Sequence, residues 1–206
     1  MIHMTEKSTI KSETTVKDFP MFTAEPAALG LIGLAVAALV LASTDLGLTS
    51  SFKSLMIPWV LFFGATAQLI AGTMEFKRKN IFGATVFTTY AITMYSIALT
   101  LFITIFADVE FDITYYAYGL IAILIFSIIA TVASLMTNKI FFSILIFVDL
   151  AVLILIAHYL YNVSAMPAGI FLLLTSAFSF YGASAILLNT MANKTILPLG
   201  NSIWKP

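Results

Sequence analysis

Polar side chains able to hold or pass a solute are sparse in this sequence, and most of them interrupt long apolar runs. Thr66 and Gln68 stand in one run, Thr88, Thr89 and Tyr90 in the next, and Ser184 in the last. Hydroxyl and amide groups placed this way each offer one or two hydrogen bonds, which suits a small polar molecule more than bond-breaking chemistry. The competing use of each is a bond to its own backbone or to a neighbouring helix. Two ionisable side chains stand apart from these. Asp149 lies near the middle of a run that holds no Lys or Arg. An uncompensated charge at membrane depth is costly, so Asp149 is protonated, bonded across a helix interface, or part of a proton relay. A neutral, hydrogen-bonded carboxyl is the favoured reading. His158 sits beside Tyr159 and Tyr161 and reads as a member of an interfacial aromatic belt rather than a pH sensor.

Other chemistries lack their residues. Cysteine is absent, and the only other histidine is His3 near the start of the chain. There are no paired carboxylates on one helix face, no metal-ligand spacing, no phosphate-binding loop and no nucleophile–base pair. No catalytic residue, metal or cofactor is therefore expected. Ten Lys and Arg balance ten Asp and Glu, which gives no electrostatic case for nucleic acid.

The elements that must position these groups are set by hydropathy. Of the 206 residues, 61% are hydrophobic and 10% charged, against about 25% charged in an ordinary soluble domain. A mean hydropathy of +1.04 would leave any soluble surface apolar, and lipid is the solvent that accepts it. Six continuous apolar runs, about 27–43, 55–74, 81–107, 113–136, 140–160 and 168–192, are each long enough for a transmembrane helix. Continuous rather than alternating hydrophobicity argues against barrel strands. The expected fold class is an all-α integral membrane protein of six transmembrane helices. Residues 1–24 read as a disordered tail, 25–193 as the membrane domain and 194–206 as a short C-terminal tail. With six spans, Lys7, Lys11, Lys17, Lys77, Arg78, Lys79, Lys139, Lys194 and Lys205 fall on one side and only Lys53 on the other. The positive-inside rule then places both termini in the cytoplasm.

The stretch from Gln68 to Tyr90, QLIAGTMEFKRKNIFGATVFTTY, is the most informative. Locally it reads as a helical hairpin, with Glu75 salt-bridged to the basic turn and Asn80 as N-cap of the following helix. It also resembles the acetate uptake transporter family, which includes bacterial succinate–acetate transporters and yeast ammonia/acetate permeases. The resemblance rests on Gln68, Ala71-Gly72, Glu75, Asn80-Ile81-Phe82-Gly83 and Phe87-Thr88-Thr89-Tyr90. Glu25-Pro26-Ala27-Ala28-Leu29-Gly30-Leu31 at the first helix and Gly182-Ala183-Ser184-Ala185 in the last extend it, in family order. This chain departs from the family pattern at Glu25, where Asn is usual, and at Ala28, where a second Pro is usual. A negative Glu25 would repel an anion approaching the start of the first helix. Asp149 stands where the family usually has a small or apolar residue.

The resemblance implies a six-helix protomer with a pore through each, assembled as a homohexamer in the plasma membrane. It implies an apolar pinch at Leu34, Tyr90 and Ile144, with Ala185 nearby limiting substrate bulk. Thr66, Gln68, Thr88, Thr89 and Ser184 are the candidate path residues, and Glu25, Pro26, Leu29, Gly30, Glu75 and Asn80 the motif on the cytoplasmic side. The implied function is passage of acetate and related small carboxylates, succinate among them, with or without a coupled proton. A channel for a neutral solute such as ammonia or urea is the alternative.

Overall fold

The computed structural model describes residues 24–49 and 54–205. The expected N-terminal tail with His3, Lys7, Lys11 and Lys17, and the loop residue Lys53, lie outside the described residues. Among those described there is no strand, and six helices are long and apolar enough to cross a membrane. They are α1 (Ala27–Asp45), α2 (Met56–Lys77), α3 (Ile81–Phe106), α4 (Thr114–Ser134), α5 (Lys139–Tyr161) and α6 (Met166–Ala192). Each expected apolar run forms one helix; the largest difference in bounds is at the end of α2, which runs to residue 77 rather than 74.

The helices form a ring. α1 packs on both α6 and α2, α2 on α3, α4 on α5, and α5 on α6, while α3 and α4 touch only lightly and leave a seam. The α1–α6 contact is the most extensive, and small residues are the reason. Lipid offers no hydrophobic drive for helix association, so van der Waals packing decides, and small side chains let backbones approach. On α1, Gly30, Gly33, Ala35, Ala37 and Ala38 are buried, as are Ser176, Gly182, Ala183 and Ala185 on α6. The Ser176 hydroxyl donates across this interface to the Ala35 carbonyl at 2.7 Å.

α2 is not uniformly α-helical. Val60–Ala67 is a π-helix, a form that hydropathy could not reveal. Side chains serve its displaced backbone groups: the Thr66 hydroxyl donates to the Leu61 carbonyl at 3.0 Å, and Gln68 Nε2 donates to the Gly64 carbonyl at 2.6 Å. Asn80 is the N-cap of α3, its side-chain oxygen accepting from the Gly83 N–H at 3.3 Å. Asn138 does the same for α5 through Phe141 at 3.0 Å. At the other end of α5, His158 Nδ1 pairs with the Val163 carbonyl at 2.6 Å and its ring meets Tyr159 edge-on, a structural engagement in keeping with its expected interfacial place.

The C-terminal residues fold back across the ends of α4, α5 and α6. The Leu135 carbonyl accepts from Ile203 and Trp204, both at 2.9 Å, and the Ile140 N–H donates to Leu199. These bonds serve helix-end groups that have no partner within the helix. Asn189 anchors the segment, accepting from the Ile196 and Leu197 N–H groups at 2.6 and 3.0 Å and donating to the Leu197 carbonyl at 2.8 Å. Asn189→Ala should destabilise the folded protein by about 1–3 kcal/mol, the cost of leaving such groups unpaired. Thermal unfolding in detergent measures this, and an unchanged midpoint would show that the segment contributes no stability.

Candidate functional site

All six helices contribute to one central cavity of about 100 Å³. A water needs about 10–15 Å³, so the space suits several waters or one small organic ion. Its mouth holds Thr44, Asp45, Met56, Tyr116 and Tyr159, at the end of the bundle opposite the basic α2–α3 turn. From there it runs inward past Ile97, Met94, Val152 and Val148 to Leu34 and Tyr90. Beyond that level, Leu31, Phe87, Ala71 and Ile144 pack with Leu34 in one buried apolar cluster. The cavity is thus a vestibule ending on a greasy plug.

Leu34, Tyr90 and Ile144 are all inside the bundle, between 2% and 5% exposed. Leu34 and Ile144 share the plug cluster, while Tyr90 packs with Val148 and Leu145 at the end of the vestibule. Ala185 is fully buried on α6. Its neighbour Ser184 is exposed on the outside of the bundle. Thr89 lines the groove at the α3–α4 seam, on the other side of α3 from the plug. Thr66 is occupied by the Leu61 carbonyl and by Tyr95, whose hydroxyl lies 3.0 Å away.

Toward the basic turn, Gln68 and Glu75 are fully buried. Glu75 is not salt-bridged to the turn, as its local sequence suggested. Its Oε2 accepts from Asn80 Nδ2 at 3.0 Å, and Arg78 instead pairs with Glu25 at 2.5 Å. The turn curls back over the start of α1, so Arg78 offsets the charge that Glu25 would otherwise present to an anion. Pro26 stands at the N-cap position of α1 without a capping bond, Leu29 is exposed, and Gly30 lies against Phe87 and Ala71. Gln68 Oε1, Glu75 Oε1 and Thr88 Oγ1 are buried without a hydrogen-bond partner. They leave binding capacity on α2 and α3 between the plug and the turn.

Asp149 is 8% exposed and sits in a hydrogen-bonded cluster that joins three helices. Ser127 of α4 donates to its Oδ1, and Thr131 donates to its Oδ2 at 2.7 Å. The Tyr90 hydroxyl of α3 lies 2.6 Å from the Ser127 hydroxyl. Ser127 and Thr131 were not singled out from sequence. The available signal was the spacing of Ser127, Thr131 and Ser134, which puts three polar residues on one face of an otherwise apolar helix.

A ring of membrane-length helices around a tapering internal cavity defines a multi-pass membrane protein with an internal path. The chain matches the GPR1/FUN34/yaaH family over residues 10–200 and belongs to that family. It is 29% identical over 186 residues to the succinate-acetate/proton symporter SatP of Escherichia coli, covering 87% of this chain and 96% of that one. It is 28% identical over 203 residues to acetate permease A of Emericella nidulans, covering 89% of this chain and 68% of the permease. The solved structure of the bacterial acetate channel SatP superposes with a TM-score of 0.81 at 23% identity, over 86% of this chain and 99% of that one. That likeness establishes the shared six-helix fold.

Proposed function

We propose that this chain carries acetate and closely related small carboxylates across the plasma membrane through the passage within each protomer. The observation that carries the proposal is the vestibule drawn from all six helices and ending on Leu34 and Tyr90. The full-length similarity to proteins named for acetate transport gives it a substrate. Acetate has one charged end and one methyl. A wholly polar path would not prefer it to chloride, and a wholly apolar one would reject its charge. An apolar pinch at Leu34, Tyr90 and Ile144 accepts the methyl and gates by excluding water. The Tyr90 hydroxyl on one side, and the Thr88 hydroxyl and the second Nε2 hydrogen of Gln68 on the other, are the donors for the charged end.

In this reading the protein is a conduit and not an enzyme. In it both termini face the cytoplasm, a reading supported by the basic α2–α3 turn, Lys139 and Lys194, which lie at one end of the bundle. The vestibule then opens to the outside. The seam at α3 and α4 is covered by neighbouring copies in a homohexamer.

Proteoliposomes exposed to labelled acetate test the function. Protein-dependent uptake above that of empty liposomes is expected, with excess unlabelled acetate suppressing it. Uptake equal to that of empty liposomes would remove the proposal.

A further inference from the structure

We propose that Asp149 is a proton-binding site wired to the pinch, and that proton uptake there turns the Tyr90 hydroxyl into a hydrogen-bond donor facing the passage. This rests on the carboxylate-transport reading above and deepens it.

The number of hydrogens in the cluster fixes the direction of each bond. An ionised Asp149 can only accept, so in that state Ser127 gives its one hydroxyl proton to Asp149 Oδ1. A hydroxyl can give only one hydrogen bond. The 2.6 Å bond between Ser127 and Tyr90 is therefore donated by Tyr90. Thr131 occupies the other carboxylate oxygen. With Asp149 ionised, the three donors all point toward it, and Tyr90 shows only lone pairs to the vestibule it lines. Lone pairs repel a carboxylate.

A proton arriving from vestibule water reverses the chain. In one concerted shift it joins the Tyr90 oxygen, the former Tyr90 proton passes to Ser127, and the former Ser127 proton passes to Asp149 Oδ1. Every hydroxyl still carries one proton, and Asp149 is now neutral. Asp149 donates to Ser127, Ser127 donates to Tyr90, and Tyr90 donates into the vestibule. Thr131 keeps its bond to Oδ2 throughout. The passing carboxylate thus finds a donor only when a proton is already aboard.

Three other titratable groups face the vestibule, Asp45 of α1, Tyr116 of α4 and Tyr159 of α5, and all three stand at its mouth, whereas Tyr90 stands at its floor. α3, α4 and α6 contain no Asp, Glu, Lys, Arg or His, so Tyr90 is the one titratable group of α3 and α4 in the cluster. On α5 itself, Lys139 and His158 are ten and nine residues from Asp149, roughly 14–15 Å along the helix. The cluster also holds both carboxylate oxygens across a helix interface. That is more than a buried acid needs merely to be tolerated, because it ends on the side chain at the floor of the vestibule.

The experiment is labelled-acetate uptake into proteoliposomes, with an imposed pH gradient and, separately, a potassium-clamped membrane potential. In the wild type, an inward proton gradient should raise protein-dependent uptake by up to about tenfold per pH unit, as binding one proton per anion requires. The clamped potential should have little effect, because acid and proton move as a neutral pair. Asp149→Asn imitates the protonated arrangement: its amide donates to Ser127 and accepts from Thr131. Uptake by this variant should lose its response to the proton gradient and become driven by membrane potential. Ser127→Ala cuts the wire while keeping Asp149, and should lose the pH response as well. A wild-type pH response retained in either variant overturns the relay, as does a wild type with acetate uptake indifferent to pH. Wild-type uptake no greater than that of empty liposomes fails the transport reading itself, a result distinct from all of these.

Discussion

Ile144→Ala should admit acids bulkier than acetate. Ile144 is 2% exposed and belongs to the buried cluster with Leu34, Leu31 and Phe87 that closes the vestibule. Truncation removes three carbons from that plug. One methylene in an apolar constriction is worth about 10–200-fold in discrimination. The ratio of butyrate to acetate uptake should accordingly rise by about ten- to a hundredfold. The fold should survive, with a cavity cost of about 2–5 kcal/mol expected for such a truncation. Ala185→Val, on the fully buried face of α6, should act in the opposite sense and narrow the range to the smallest acids. Competition assays against labelled acetate, run with formate, propionate and butyrate, read both variants. A cutoff unchanged in each would move the pinch elsewhere.

Gly33→Val should prevent the bundle from assembling. A Cβ at Gly33 would collide with the Phe63 carbonyl oxygen and press on Ala67. Phe63 lies within the π-helical stretch of α2, where the widened turn thrusts backbone toward α1. The obstacle is main chain held by its own helix, so it cannot swing aside as a flexible side chain would. Overpacking of this kind costs about 1–3 kcal/mol for a well-accommodated methylene and more where backbone must shift. Valine adds two further methyls, and little monodisperse protein should be recovered in detergent. Gly119 in α4 provides the contrast, since a Cβ there meets nothing within 4 Å. Gly119→Ala should be neutral or stabilising by up to about 1 kcal/mol through helix propensity. Equal loss of folded protein in both variants would mean that the Gly33 contact is not the cause.

How far the sequence could be read depended on whether the signal was local. Helix number and extent were legible because membrane insertion depends on the apolarity of about 20 consecutive residues. Asn80 was legible as a cap because capping needs only the side chain and the next turn. The family resemblance, not local physics, points to Leu34, Tyr90 and Ile144, and all three are buried inside the ring. The pairing of Glu75 is not set by sequence proximity. Local spacing puts the basic turn beside Glu75, but Arg78 reaches Glu25 across the α1–α2 packing, and Asn80 takes Glu75.

What the chain alone determined, then, is a six-helix membrane protein with a small set of polar residues in its spans. What only the tertiary structure decided is which of them face inward. Tyr90 borders the vestibule while adjacent Thr89 lines the outer groove, and Ala185 is buried while adjacent Ser184 is exposed. In water, the apolar stripe of a helix marks its inner face. In lipid both faces are apolar, so that periodic mark is erased, and the rotation of each helix is set by the shapes of its neighbours. Asp149 follows the same rule: its partners Ser127 and Thr131 lie on another helix, and only packing brings the acid and the hydroxyls together.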